Sequence, residues 1–68
     1  MIQIFGKDTC PYTQAARDHY VGLGVPFTYR NVKKDQAALA EMLLLTHGKR
    51  EVPVIVDNGA VTIGYGGT

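Results

Sequence analysis

A single cysteine, Cys10, rules out an internal disulfide, and in a chain of 68 residues that removes the commonest staple of small folds. Cys10 and the two histidines, His19 and His47, do not fall at zinc-finger spacing, so metal-driven folding is not expected either. The core has to hold by packing alone. Apolar residues make up 46% of the chain and there are no low-complexity tracts, which is the composition of one folded domain spanning 1–68.

Pattern and punctuation then give the elements. Residues 1–5 alternate weakly and carry Ile2, Ile4 and Phe5, a short strand closed by Gly6. After the loop 7–9, Pro11 falls at the first helical position, where proline is best tolerated, and this puts Cys10 at the N-cap. The helix is expected over 11–23. Its inner stripe reads as Ala15, Ala16, His19 or Tyr20, and Leu23, with Gly22-Leu23-Gly24 as the stop. Aromatic and β-branched residues at 27–32 predict a second strand.

Asp35 suits the N-cap of a second helix over 36–47, in which Leu39, Met42, Leu43 and Thr46 recur at helical spacing before Gly48 ends it. The β-branched run 52–56 predicts a central strand, with Pro53 confined to its start because it cannot donate to a ladder. Asp57-Asn58-Gly59 is a strong hairpin signal, joining that strand to another at 60–63. The order is βαβαββ. Strands separated by helices are expected to pair parallel through right-handed crossovers, and the last hairpin to add an antiparallel strand.

Charge excludes some functions. The formal net charge is +1, and Lys7, Lys33, Lys34, Lys49 and Arg50 are interleaved with acids, so no nucleic-acid surface is expected. No apolar run approaches the ~18–20 residues that span a bilayer, and the opening residues lack the pattern of a secretory leader. A cytoplasmic protein that touches no membrane is expected, in keeping with a lone cysteine.

The chemistry converges on Cys10. A thiol at a helix start meets the positive end of the backbone dipoles and unpaired N–H groups, which favour the nucleophilic thiolate. Thr13, three residues on, can aim its hydroxyl at the sulfur, and Lys7 can add a positive charge. His19 and His47 read as structural, and Met42 with Leu43-Leu44-Leu45 as core.

Three separated segments carry a family resemblance. Cys10-Pro11-Tyr12-Thr13, with Lys7 three residues ahead, resembles the glutaredoxin Cys-Pro-Tyr-Cys motif with threonine for the second cysteine. Gly48-Lys49-Arg50-Glu51-Val52-Pro53 resembles the segment bearing that family's Thr-Val-Pro and its cis proline, and Gly64-Tyr65-Gly66-Gly67 falls where the family has a glycine pair after the last strand. In this order and in a βαβαββ frame they are specific, and the chain is similar throughout to glutaredoxins of the thioredoxin superfamily. Within it the chain looks most like the short UXX-star group, in which selenocysteine often takes the nucleophile position. On that resemblance Cys10 makes this the cysteine form of a selenoenzyme, whether as a cysteine homologue or as a replacement of selenocysteine.

The resemblance implies an α/β, thioredoxin-like (glutaredoxin) fold with a mixed four-stranded sheet and the usual C-terminal helix absent. It implies a glutathione-dependent thiol–disulfide oxidoreductase acting on glutathione mixed disulfides by a monothiol route, as a monomer, with glutathione as co-substrate and no tightly bound cofactor or metal. Cys10 is then the nucleophile and Thr13 its stabiliser. Lys7, Tyr12, Lys49, Arg50, Val52, Pro53, Gly64, Tyr65 and Gly66 are the candidate glutathione-binding residues. Glu51 stands where the family has threonine and adds a negative charge that opposes an anionic tripeptide. Two alternatives follow from the same resemblance. One is a dimer holding a [2Fe–2S] cluster between two Cys10 thiolates and two glutathiones, against which Pro11 counts because cluster-binding relatives tend to have glycine there. The other is a dedicated electron donor to one protein partner.

Overall fold

Successive side chains of a strand point to opposite faces, and the first strand puts Ile2 and Ile4 on one face and Phe5 on the other, which suits a strand covered on two sides. A computed structural model describes residues 1–65 and places the elements as β1 (Ile2–Gly6), α1 (Pro11–Leu23), β2 (Phe27–Asn31), α2 (Gln36–Leu45), β3 (Val54–Asp57) and β4 (Ala60–Ile63). The four strands form one sheet in the order β2-β1-β3-β4. Ile2 and Ile4 pack with Ala16 and Ile55 on the α1 face, while Phe5 packs with Ala38, Met42 and Val54 on the α2 face. Phe5, Ile4, Met42 and Val54 are fully buried. Each such side chain contributes roughly 1.5–3 kcal/mol, and together they replace the missing staple.

Strands β1 and β2 pair parallel, Ile2 opposite Phe27 through Gly6 opposite Asn31. The third strand departs from expectation. It runs antiparallel to β1, with Phe5 opposite Val54 and Ile2 opposite Asp57. A parallel crossover requires the chain to return to the amino end of β1. After α2 it instead enters beside the carboxyl end, opposite Phe5, and runs the other way. The turn Asn58-Gly59, with φ of 50° and 90°, then closes a two-residue hairpin in which Asp57 faces Ala60.

The helix ends follow local chemistry. Pro11 opens α1, and Gly24 closes it in the left-handed region at φ 69°. The Asp35 carboxylate caps α2 by accepting from the N–H groups of Ala37 and Ala38. This helix ends at Leu45, short of the expected 47. His47 rather than Gly48 takes the first left-handed position, at φ 57°, and the Gly48 N–H returns to the Leu43 carbonyl at 2.8 Å. The buried stripe of α1 is also shifted. It runs through Thr13, Ala16 and half-buried Tyr20, leaving Ala15, His19 and Leu23 exposed. Apolar and aromatic periodicity does not single out Thr13, which is polar. In α2, Ala38 and Met42 are buried, Leu39 and Leu43 are half-buried, and Arg30 of β2 reaches Glu41 at 2.9 Å. No helix among the described residues is long and apolar enough to cross a membrane.

Candidate active site

Cys10 is the N-cap of α1, with extended backbone (φ −90°, ψ 116°), and its carbonyl accepts the first helical bond from Gln14. An N-cap oxygen normally satisfies the N–H groups at the second and third helical positions. Here those belong to Tyr12 and Thr13, the neutral thiol makes no capping bond, and a thiolate is the acceptor they lack. Partial burial on its own pushes the Cys10 thiol up. The Thr13 hydroxyl, the N–H groups of Thr13 and Tyr12, and the charge of Lys7 together outweigh it, so the thiol sits below its ordinary value.

Thr13 is itself unusual. It is fully buried, and its hydroxyl has no hydrogen-bond partner of good geometry while Cys10 is a thiol. A buried unsatisfied hydroxyl costs about 1–3 kcal/mol, and deprotonating the sulfur supplies the acceptor that relieves this cost. The helix can approach this closely only because β1 ends in glycine. A Cβ on Gly6 would lie 2.4 Å from Thr13 Cγ2 and 2.6 Å from Thr13 Oγ1.

On the other flank, the Val52–Pro53 peptide bond is cis and the Val52 carbonyl faces the sulfur, with Cys10 Sγ at 4.0 Å. Pro53 is buried, and its carbonyl accepts from the N–H of buried Gly64 at 2.7 Å, tying the end of β4 to this loop. The loop before it is braced by the Thr46 hydroxyl, which donates to the Lys49 carbonyl at 2.7 Å. Two depressions meet at Val52. One is lined by Lys7, Val32, Lys33, Leu39, Met42, Arg50 and Val52, and the other by Glu51, Val52, Ile63 and Gly64. Among the described residues Lys7, Lys33 and Arg50 form no ion pair, so their charge faces an apolar floor unneutralised.

The structure therefore brings Lys7, Thr13, Val52, Pro53 and Gly64 to Cys10 or to the loops around it, and Arg50 to the adjoining groove. Tyr12 is exposed beside the nucleophile. Lys49 is exposed and lines neither depression. The Tyr65 ring lies 5.7 Å from the His19 ring and packs on the α1-face core, so it too lines neither. Gly66 lies outside the described residues. No group of three or more His, Cys, Asp or Glu among the described residues converges on a metal position.

Lys33 and a cluster on the α1 face are not marked by any motif in the sequence. The Tyr29 hydroxyl donates to Asp8 at 2.8 Å, Lys34 approaches the same carboxylate at 3.7 Å, and the Arg17 guanidinium stacks 4.0 Å above the Tyr29 ring. Burial, the hydrogen bond to Asp8 and the Asp8 charge push the Tyr29 phenol up to about 12. Only the period-two alternation of β2, which puts Tyr29 on the face of α1, hinted at this position in the sequence.

A thiolate held in this way at a helix start is built for thiol–disulfide exchange, and the two-helix, four-stranded sheet that carries it has the thioredoxin-like fold. The glutaredoxin family model matches residues 2–61. Among solved structures, glutaredoxin from Archaeoglobus fulgidus superposes with a TM-score of 0.84 at 21% identity, over 96% of this chain and 75% of that one. The thioredoxin-like protein BC3987 gives 0.81 at 26% identity, over 97% and 89%. The glutaredoxin-like NrdH-redoxin from Escherichia coli gives 0.77 at 24%, over 93% and 80%. Comparison with curated proteins gave no match. The chain belongs to the glutaredoxin family, whose chemistry is that of a thiol–disulfide oxidoreductase.

Proposed function

We propose that the protein reduces glutathione mixed disulfides by a monothiol route through Cys10. The observation that carries this reading is the groove of about 380 Å³ bearing Lys7, Lys33 and Arg50, within the ~300–1,000 Å³ of small-ligand clefts, one of whose lining residues, Val52, has its carbonyl 4.0 Å from the sulfur. The unpaired cations suit a peptide carboxylate, and the apolar floor suits its methylenes. The Val52 backbone lies where an extended cysteinyl residue can pair with it.

The Cys10 thiolate attacks the glutathionyl sulfur of the mixed disulfide. The substrate sulfur leaves as a thiolate and takes a proton from water, and Cys10 is left bonded to glutathione. A second glutathione thiolate attacks the glutathionyl sulfur of that adduct, giving glutathione disulfide and restoring Cys10. Thr13 cannot resolve the adduct, so the external thiol has to. Each release of the Cys10 sulfur is favoured by the groups that stabilise its thiolate.

The test is turnover of a small glutathione mixed disulfide with glutathione as reductant, comparing the chain with Cys10→Ser and following intact mass. Turnover that needs Cys10, with a transient adduct of one glutathione, is the expected result. Full activity in Cys10→Ser, or no adduct and no turnover in the parent chain, overturns the reading. One observation favours a second reading, a redoxin dedicated to a protein disulfide. The Glu51 carboxylate stands in the second depression beside Val52 and opposes an anionic tripeptide. The structural likeness to a redoxin described as having a thioredoxin-like activity profile is compatible with it. Protein-disulfide reduction without a glutathione adduct would select this second reading.

A further inference from the structure

Lys7 and Asp8 are neighbours in the loop before the nucleophile, yet they leave it in opposite directions. Lys7 lines the groove with Arg50 and Val52, while Asp8 meets Tyr29 and Lys34 on the far side. The Cys10 N–H donates to the Lys7 carbonyl at 3.2 Å, so residues 7–10 form one tight turn that carries both charged side chains immediately ahead of the nucleophile. Their order along the chain does not decide which of them the sulfur feels more strongly.

We propose that Tyr29 is a positioning residue for the nucleophile: its hydroxyl holds the Asp8 carboxylate on the β2 side of the loop, so that the turn presents Lys7 rather than Asp8 to the Cys10 sulfur. The anchor is firm. Tyr29 pairs with Ile4 in the sheet, packs against the α1-face core, and is covered by Arg17. The Val32 N–H bonds the Gly6 carbonyl at 2.9 Å, fixing the end of β2 to the start of the loop. A hydroxyl donating to a carboxylate is a charge-assisted bond, and at 2.8 Å it has the length of a strong one.

The groups facing this arrangement are few. Cys10 is faced by Lys7 from the loop, Thr13 from α1, the Val52 carbonyl from the loop before β3, and Tyr29 from β2. Asp8 is faced by Tyr29 and by Lys34 of the turn after β2, and Tyr29 by Arg17 of α1. Lys34 is 79% exposed at its side chain, and its 3.7 Å approach is loose, so Tyr29 is the partner that fixes the carboxylate. Without the hydroxyl the carboxylate is free to swing toward the sulfur. A unit charge brought a few ångströms nearer through partly solvated space lowers the thiolate fraction about threefold.

The proposal concerns the thiolate and does not depend on glutathione as substrate. It is tested by the pH dependence of Cys10 alkylation by iodoacetamide in the parent chain, Tyr29→Phe, Asp8→Asn and the double variant. Tyr29→Phe is expected to slow alkylation about threefold at pH 6–7, with the difference closing above the thiol pKa and shrinking at high salt. Asp8→Asn keeps an acceptor for the hydroxyl but deletes the charge, so adding Tyr29→Phe to it should change the rate by less than about 1.5-fold. A loss in Tyr29→Phe that persists at high pH, one that is equal in both backgrounds, or no loss at all overturns the proposal. A purely structural role for Tyr29 would give one of those three results.

Discussion

Replacing Gly6 by alanine tests whether the contact between the end of β1 and the first turn of α1 sets both stability and reactivity. Gly6 is not among the positive-φ residues, so its backbone admits alanine, and a shorter list of unfolded conformations would by itself favour the variant by ~0.4–1 kcal/mol. The steric effect opposes this and is larger. The new Cβ would stand 2.4, 2.6 and 3.1 Å from Thr13 Cγ2, Oγ1 and Cβ, against the ~3.5–4.0 Å at which carbon pairs attract. Thr13 has no exposed surface into which to turn, and overpacking of this kind costs ~1–3 kcal/mol. A net loss of about 1–2 kcal/mol is expected, which in a domain of this size lowers Tm by ~4–8 °C per kcal/mol.

The chain has no tryptophan, so urea unfolding is best followed by circular dichroism, with an unchanged slope marking a true stability effect. In a Thr13→Ala background two of the three close contacts vanish. There the cost of Gly6→Ala should fall by at least ~1 kcal/mol, the interaction energy of the pair. A cost equal in both backgrounds, or stabilisation by Gly6→Ala alone, would refute the steric argument.

Three further outcomes follow from the site and the helix ends. The folded Cys10 thiol lies below its ordinary value of 9.0, so its contribution to stability is present above that value and is lost as pH falls through the folded one; the stability difference between the parent chain and Cys10→Ser should be larger at pH 9 than at pH 6, and smaller throughout in Thr13→Ala. Tyr29 has the opposite sign: its phenol is raised from 10.0 to about 12, so its contribution is complete below pH 10 and lost between about pH 10 and 12, read as the parent chain minus Tyr29→Phe in urea unfolding against pH. Asp35→Ala removes the acceptor for two N–H groups at the start of α2 and should cost about 1 kcal/mol by the same unfolding assay, with alkylation of Cys10 unchanged.

Elements defined by local chemistry were legible from the residues. Pro11 after Cys10, Gly24 after α1, Asp35 before α2 and Asn58-Gly59 in the hairpin each mark a boundary that one or two residues decide. What the residues left open was decided over long sequence separations. The antiparallel run of β3 depends on where α2 delivers the chain relative to β1, and nothing in the apolar run at 52–56 encodes a direction. The buried face of α1 depends on Gly6 making room for Thr13, a pairing of a missing side chain with a polar one that a search for apolar periodicity passes over.

The candidate site divides along the same line. That Cys10 is the candidate nucleophile follows from its position before Pro11, because a helix start favours the thiolate. Which charges surround that thiolate does not follow from proximity in the chain. Lys7 and Asp8 are adjacent and opposite in sign, and Tyr29, placed on the α1 face by the pleat of β2, holds the Asp8 carboxylate on the side away from the groove that Lys7 lines. Thr13 likewise gains its effect from burial against Gly6, which leaves its hydroxyl the sulfur as acceptor. The reactivity of the cysteine is therefore a tertiary property resting on two contacts, Gly6 with Thr13 and Tyr29 with Asp8. A relative that kept the Cys-Pro-Tyr-Thr motif but lost either contact should keep the fold and show a less acidic thiol.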